Sequence, residues 1–210
     1  MEQLERLHAR IRACTLCADA GYIERAAPVV AGHHVNRIML IGQAPGVTEL
    51  ESRQPFWGRA GKELFRWMER IGISEPEFRS HVYMTAITKC FPGKAPGGKG
   101  DRKPSPAEIA LCRPYLEAQL ELVRPRVILL VGGLAIERWF PRMPLHELVG
   151  KRLVCDGVTF VPLPHPSGAS RWLNVPEHRE LLADALALVR EEWDANSAVA
   201  TATETARREG

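Results

Sequence analysis

With 210 residues, 45% of them hydrophobic, the chain is long enough to bury one sizeable core and too short for two full domains. Its formal charge of +3 permits nucleic-acid binding without arguing for it, since only a local cluster of charge makes a footprint. Met1 to Arg12 is charged and lacks an apolar block, and no apolar run is long enough to cross a bilayer, so a soluble cytoplasmic protein is expected and a membrane protein is not.

Glu2 to Arg12 is expected to be helical, with Leu4, Leu7 and Ile11 on one face, and it runs into Cys14-Thr15-Leu16-Cys17. Arg37 to Ile41 is an apolar strand broken at its carboxyl end by Gly42-Gln43-Ala44-Pro45-Gly46, and its continuous apolarity marks it as buried and parallel. Gly61 to Ile71 places Leu64, Phe65, Met68 and Ile71 at helical spacing, with Gly72 as the stop. His81 to Thr88 is a strand with no charge after its first residue, and is expected to lie centrally in the sheet. A Gly-, Pro- and Lys-rich loop, Cys90 to Lys103, precedes a helix from about Ser105 to Val123, opened by the capping-box pair Ser105 and Glu108.

Arg126 to Val131 is the clearest strand, ended by Gly132-Gly133, and a short helix from Leu134 to Phe140 follows. Leu153-Val154 and Thr159 to Leu163 flank Asp156-Gly157 and predict a hairpin leading into His165-Pro166-Ser167-Gly168. A closing helix spans Pro176 to Trp193, and residues 194–210, small and polar, are expected to be disordered. Alternating strands and helices imply one three-layer α/β/α domain over residues 1–193, with a central, mainly parallel four-stranded sheet.

Five cysteines in a reducing compartment favour metal ligation over disulfides. Cys14 and Cys17 form a C-x2-C pair, Cys90 follows a strand and Cys112 lies in the next helix, so four soft ligands are available to an iron-sulfur cluster or to zinc. Cys155 sits in an apolar hairpin and is expected to pack there.

Gly42 to Gly46, Pro55-Phe56-Trp57-Gly58-Arg59-Ala60-Gly61, Tyr83-Met84-Thr85-Ala86 with Lys89-Cys90, and His165-Pro166-Ser167 together resemble the iron-sulfur uracil-DNA glycosylases of families four and five, over about residues 10 to 193. That resemblance implies an enzyme that flips uracil out of DNA, hydrolyses its N-glycosidic bond and leaves an abasic site. It also implies a [4Fe-4S] cluster on Cys14, Cys17, Cys90 and Cys112, zinc being the lesser alternative, with a structural role in pinning the N-terminal helix and the Lys-rich loop.

In that frame His165 donates a ring N–H to the departing uracil, Phe56 is a stacking platform with Trp57 free to take a core position, and Gly42, Ala44, Pro45, Gly46, Ala86 and Ser167 line the base pocket. Gly46 leaves the pocket edge open where other uracil glycosylases place a tyrosine. Lys94, Lys99, Arg102 and Lys103, opposed by Asp101, with Ser170 and Arg171, are the expected DNA contacts, and Ala169 or a neighbour fills the vacated stack.

Two positions depart from family four. Gln43 replaces a glutamate and, being an amide, orients water without taking its proton; Ala86 replaces an asparagine that reads the uracil edge, which opens the pocket to hypoxanthine or other deaminated bases. The Lys-rich loop contains no histidine, unlike a related variant that bonds covalently to DNA, so free turnover is expected. A monomer is expected, acting on DNA that contains uracil or another deaminated base. Two alternatives stay open: a non-catalytic module that recognises deaminated or abasic DNA, and a doubly wound enzyme using Gly42 to Gly46 as a phosphate loop, which lacks the G-x-G-x-x-G spacing and the P-loop lysine.

Overall fold

The computed structural model describes residues 2–33, 36–98, 100–167 and 171–208, with the backbone alone for 198–208. Its elements, in chain order, are α1 (Glu2–Arg12), α2 (Leu16–Asp19), β1 (Ile38–Gly42), α3 (Glu49–Ser52), α4 (Arg59–Arg70), α5 (Glu75–His81), β2 (Val82–Ala86), α6 (Pro106–Val123), β3 (Val127–Val131), α7 (Gly133–Glu137), α8 (Leu145–Leu148), β4 (Leu153–Cys155), β5 (Val158–Leu163), a 3-10 turn (Trp172–Asn174) and α9 (Pro176–Arg208).

The sheet order is β2-β1-β3-β5-β4. The first four of these strands run parallel and β4 returns antiparallel against β5. Five strands therefore replace the four expected, because the short arm of the Asp156-Gly157 hairpin pairs along its whole length and becomes an edge strand. β2 is the opposite edge and not a central strand. It is nevertheless buried throughout, since the segment before β1 pairs with it through Ala31 and Met84 and covers its free side, which explains its uncharged sequence.

The two faces of the sheet are apolar for the reason that side chains alternate along a strand. Ile38, Leu40, Val82, Met84, Val127, Leu129 and Val131 face one core, closed by Leu64, Phe65 and Met68 of α4, Phe78 of α5 and Leu182, Leu186 and Trp193 of α9. Met39, Ile41, Tyr83, Ile128 and Leu130 face the other, closed by Leu4, Leu7 and Ile11 of α1, Leu116 and Val123 of α6 and Ile136 of α7. The capping box is formed as expected, Ser105 Oγ accepting from Glu108 N–H while the Glu108 carboxylate accepts from Ser105 N–H.

α5 is not announced by the periodicity of its sequence. Its first turn is capped by Ser74, whose side chain accepts from Glu77 N–H, and it buries a single side chain, Phe78, too few to register as a period. The backbone of α9 continues to Arg208, past the end expected at Trp193. Among the described residues no helix is long and apolar enough to cross a membrane.

Candidate active site

Four parallel strands end side by side, and the candidate pocket is built on those ends. Gly42 is in register with Ala86, Val131 is in register with Leu163, and Gly132 N–H donates to Leu163 O (3.0 Å) just before His165. By alternation Gly42, Ala86, Val131 and Leu163 share one face of the sheet. The first motif is stitched to the next segment as well, Ile87 N–H donating to Gly42 O (2.9 Å) and Thr88 N–H to Gln43 O (3.3 Å).

His165 is fixed by its own loop. Ser167 N–H donates to His165 Nδ1 (3.2 Å), with Ser167 Oγ also at 2.9 Å, so Nδ1 is the accepting nitrogen and the proton of the neutral ring sits on Nε2. Burial lowers the proton affinity of the ring below the ordinary histidine value, opposed by the carboxylate of Asp101. Its ring lies against Gly132, where a Cβ would stand 2.9 Å from His165 Cδ2, and where φ is +88°. Only glycine meets both demands.

Phe56 stands over Gly42: a Cβ there would be 2.9 Å from Phe56 Cζ. Its backbone adopts φ 55°, uncommon for a bulky residue, and Arg79 of α5 holds it by donating to Pro55 O (2.9 Å) and Phe56 O (3.2 Å). The Arg79 guanidinium also lies over the Trp57 ring (5.1 Å) and the Phe65 ring (4.5 Å). Trp57 itself is 45% exposed and takes no core position; Trp67 of α4 occupies that layer instead.

Position 46 is not open. A Cβ on Gly46 would stand 2.9 Å from Glu49 Oε2 and 3.2 Å from Asp101 Oδ2. Glu49 is a buried brace, accepting from Gly46 N–H (2.9 Å) on Oε2 and from Trp57 N–H (2.9 Å) and Gly58 N–H (3.1 Å) on Oε1, so that one carboxylate ties two motifs together. Sequence does not announce this role, because Glu49 lies three residues beyond Pro45-Gly46, in the charged stretch Glu49-Leu50-Glu51-Ser52-Arg53, and looks like a surface acid. Gln43, Ala44 and Pro45 are half-buried in the same loop, and Ala86 is buried.

The expected DNA contacts divide. Lys94, Lys103 and Arg171 are exposed, with Lys94 Nζ paired to Asp101 Oδ1 (2.7 Å). Arg102 is committed inside the protein, to both oxygens of the buried Glu108 (2.7 and 2.9 Å) and to Tyr22 O (2.8 Å). Lys99, Gly168, Ala169 and Ser170 lie outside the described residues.

Cys14, Cys17, Cys90 and Cys112 line one cavity, roughly 450 Å³ of non-protein space with its mouth included. Burial pushes the Cys17 thiol up to about 11 and Cys90 up to about 12, and raises Cys112, with the neighbouring thiols adding to each shift. Such thiols ionise only when a cation repays the charge. The donor set fits a bound group in two further ways. Thr88 Oγ1, in the wall of this cavity, is the one buried side-chain polar atom without a hydrogen-bond partner among the described residues. Lys89, fully buried between Cys90 and Ala86, donates its backbone N–H to Cys112 Sγ (3.2 Å) and its ammonium to Ala86 O. Among the described residues no three His, Cys, Asp or Glu side chains converge on the position of a single ion. Cys155 lies apart on β4, exposed beside Asp156, and neither packs nor joins the thiol ring.

Residues 31–187 match the family described as the uracil DNA glycosylase superfamily. Among curated proteins, the chain is similar to the Type-4 uracil-DNA glycosylase of Thermotoga maritima, 34% identical over 79% of this chain and 82% of that one. It is also similar to that of Saccharolobus solfataricus, 31% identical over 91% and 87%, and to that of Pyrobaculum aerophilum, 32% identical over 71% and 67%. A match across most of the chain, on a parallel sheet whose strand ends gather the same motifs, places this protein in the uracil DNA glycosylase superfamily.

Proposed function

We propose that this protein is a DNA repair glycosylase that extrudes uracil from DNA and hydrolyses its N-glycosidic bond, leaving an abasic site. The observation that carries the reading is the tautomer of His165. With Nδ1 occupied by Ser167, the Nε2–H is free to donate to a carbonyl of the departing base, where negative charge grows as the bond breaks. Phe56 offers an aromatic face to the extruded pyrimidine, worth roughly 1–3 kcal/mol in single-strand binders, which holds a base without choosing one. Gln43 positions water, and buried Ala86 offers a methyl where an amide would read the uracil edge, so other deaminated bases fall within range.

Lys94, Lys103 and Arg171 are the phosphate contacts in this reading, together with Lys99 and Ser170. The thiol ring holds a [4Fe-4S] cluster in this reading, which would supply iron to the four thiolates and so tie α1 and α6 to the sheet. Iron and acid-labile sulfide in the purified protein, against stoichiometric zinc, test that assignment. The protein works as a soluble intracellular monomer.

Single- and double-stranded oligonucleotides carrying uracil or hypoxanthine, treated with alkali after incubation, test the activity. Strand breaks at uracil are expected. DNA binding with no break at any deaminated base would leave a recognition module in place of the enzyme.

A further inference from the structure

Asp101 enters the sequence as the acid that dilutes a basic loop. The structure gives it a different setting. Lys94 and Asp101 form an antiparallel bridge, Ala95 N–H donates to Gly100 O (3.1 Å) and Arg102 N–H to Gly93 O (3.0 Å), so the loop doubles back on itself. Its base is anchored by the grip of Arg102 on Glu108 and Tyr22. The return carries Asp101 across to the first motif: Oδ2 comes within 3.2 Å of the Cβ position of Gly46, while Oδ1 accepts from Lys94 Nζ (2.7 Å). The same carboxylate also acts electrostatically on His165.

We propose that Asp101 is a catalytic residue, the carboxylate that accepts the proton of the attacking water and so does what Gln43 cannot. This rests on the glycosylase reading above. The two acids beside Gly46 are not equivalent candidates. Glu49 is buried and spends both oxygens on backbone N–H groups, whereas the Asp101 side chain is 34% exposed and keeps Oδ2 towards the motif. Lys94 and the hairpin hold it in place, so its geometry is set before substrate arrives.

The step balances as follows. The bond between the sugar carbon and the base nitrogen breaks, and its electron pair leaves with uracil, steadied by the Nε2–H of His165. A water oxygen bonds to the sugar carbon, one water proton passes to Asp101 Oδ2, and that proton returns through solvent to the uracil anion. No oxidant, reductant or further reactant is needed.

The test is the rate of uracil release in single turnover at saturating enzyme, with affinity for the same oligonucleotide measured by fluorescence anisotropy. Asp101→Asn preserves shape and leaves an oxygen for Lys94, so the melting temperature is expected to hold. The saturated rate is expected to fall by about 100-fold or more, with affinity unchanged or tighter, since a negative charge near the phosphates is gone. Lys151→Ala, the control at an exposed lysine outside the site, leaves both the affinity and the saturated rate alone. Wild-type cleavage with an Asp101→Asn rate within about tenfold of it overturns the assignment while the glycosylase reading stands, as does a variant that loses affinity only. Absence of cleavage by the wild type removes both.

Discussion

At the scale of the residue, His165 shows how little of a catalytic group lies in its own side chain. The His-Pro-Ser string announced it, and the Ser167 bond to Nδ1 is local enough to be read from that string. Its seat is not: Gly132 lies on another strand, and its role is visible only once β3 and β5 stand side by side. Removing the ring by His165→Ala should cost about 10²–10³-fold in the saturated rate, the usual loss for one donor to a developing anion. Thermal stability and affinity for uracil DNA should change little, and a rate within about tenfold of wild type would take His165 out of the mechanism. Because burial lowers the proton affinity of the ring, the neutral form persists below the ordinary histidine value of 6.5, and wild-type cleavage should hold across that pH. A rate that drops as pH passes down through 6.5 would mean that the Ser167 bond is lost there.

At the scale of the element, the loop from Arg53 to Gly58 depends on α5, a helix without an expected counterpart. The aromatic pair Phe56-Trp57 was legible in the sequence, but not which ring would be buried, because that is decided by Arg79, 23 residues further along the chain. Arg79 joins Glu75 (2.8 Å), two carbonyls and two aromatic faces, an arrangement that holds Phe56 in its left-handed backbone conformation over Gly42. Replacing it by Arg79→Gln removes both cation–π contacts, each worth about 0.5–1 kcal/mol at such sites, and loosens the two carbonyls. The expected result is a loss of about 1–3 kcal/mol in stability, read as a lower urea midpoint, together with weaker binding of uracil-containing DNA. Unchanged affinity alongside lowered stability would show that Phe56 keeps its place without the clamp, and would detach it from base stacking.

At the scale of the whole molecule, local signals carried the individual strands, the hairpin, the capping box and the Cys14-Cys17 pair, because each rests on residues near one another in the chain, whereas the joining of Cys90 and Cys112 to that pair was implied by the family resemblance. What sequence could not carry was contact between distant segments: Asp101 against Gly46, Glu49 against Trp57, and the cover that Ala31 gives to β2. One such feature is a buried polar chain that joins the sheet to α1 and α6 on one of its faces. The Tyr83 hydroxyl of β2 hydrogen-bonds His8 Nε2 of α1 (2.6 Å) and accepts from Gln119 Nε2 of α6 (2.8 Å), and Gln119 Oε1 accepts from Thr85 (3.1 Å). It fastens α1, and so the Cys14-Cys17 turn behind it, to the sheet. Burial, with Arg12 and His33 adding to it, lowers His8 from 6.5 to about 4, so the folded protein holds it neutral while the unfolded chain takes a proton near 6.5. Between those values the unfolded state binds more protons, and stability falls as pH drops. The contribution is complete above 6.5 and is lost on the way down to about 4. It amounts to on the order of 3 kcal/mol, or roughly 6–12 °C in a chain of this size. His8→Gln should melt earlier than wild type at neutral pH, having lost the Tyr83 bond, and lose less on acidification, so that the two melting curves converge as pH falls. Curves that stay parallel would mean that the acid sensitivity belongs to other groups, and that His8 is no part of what fastens the N-terminal helix.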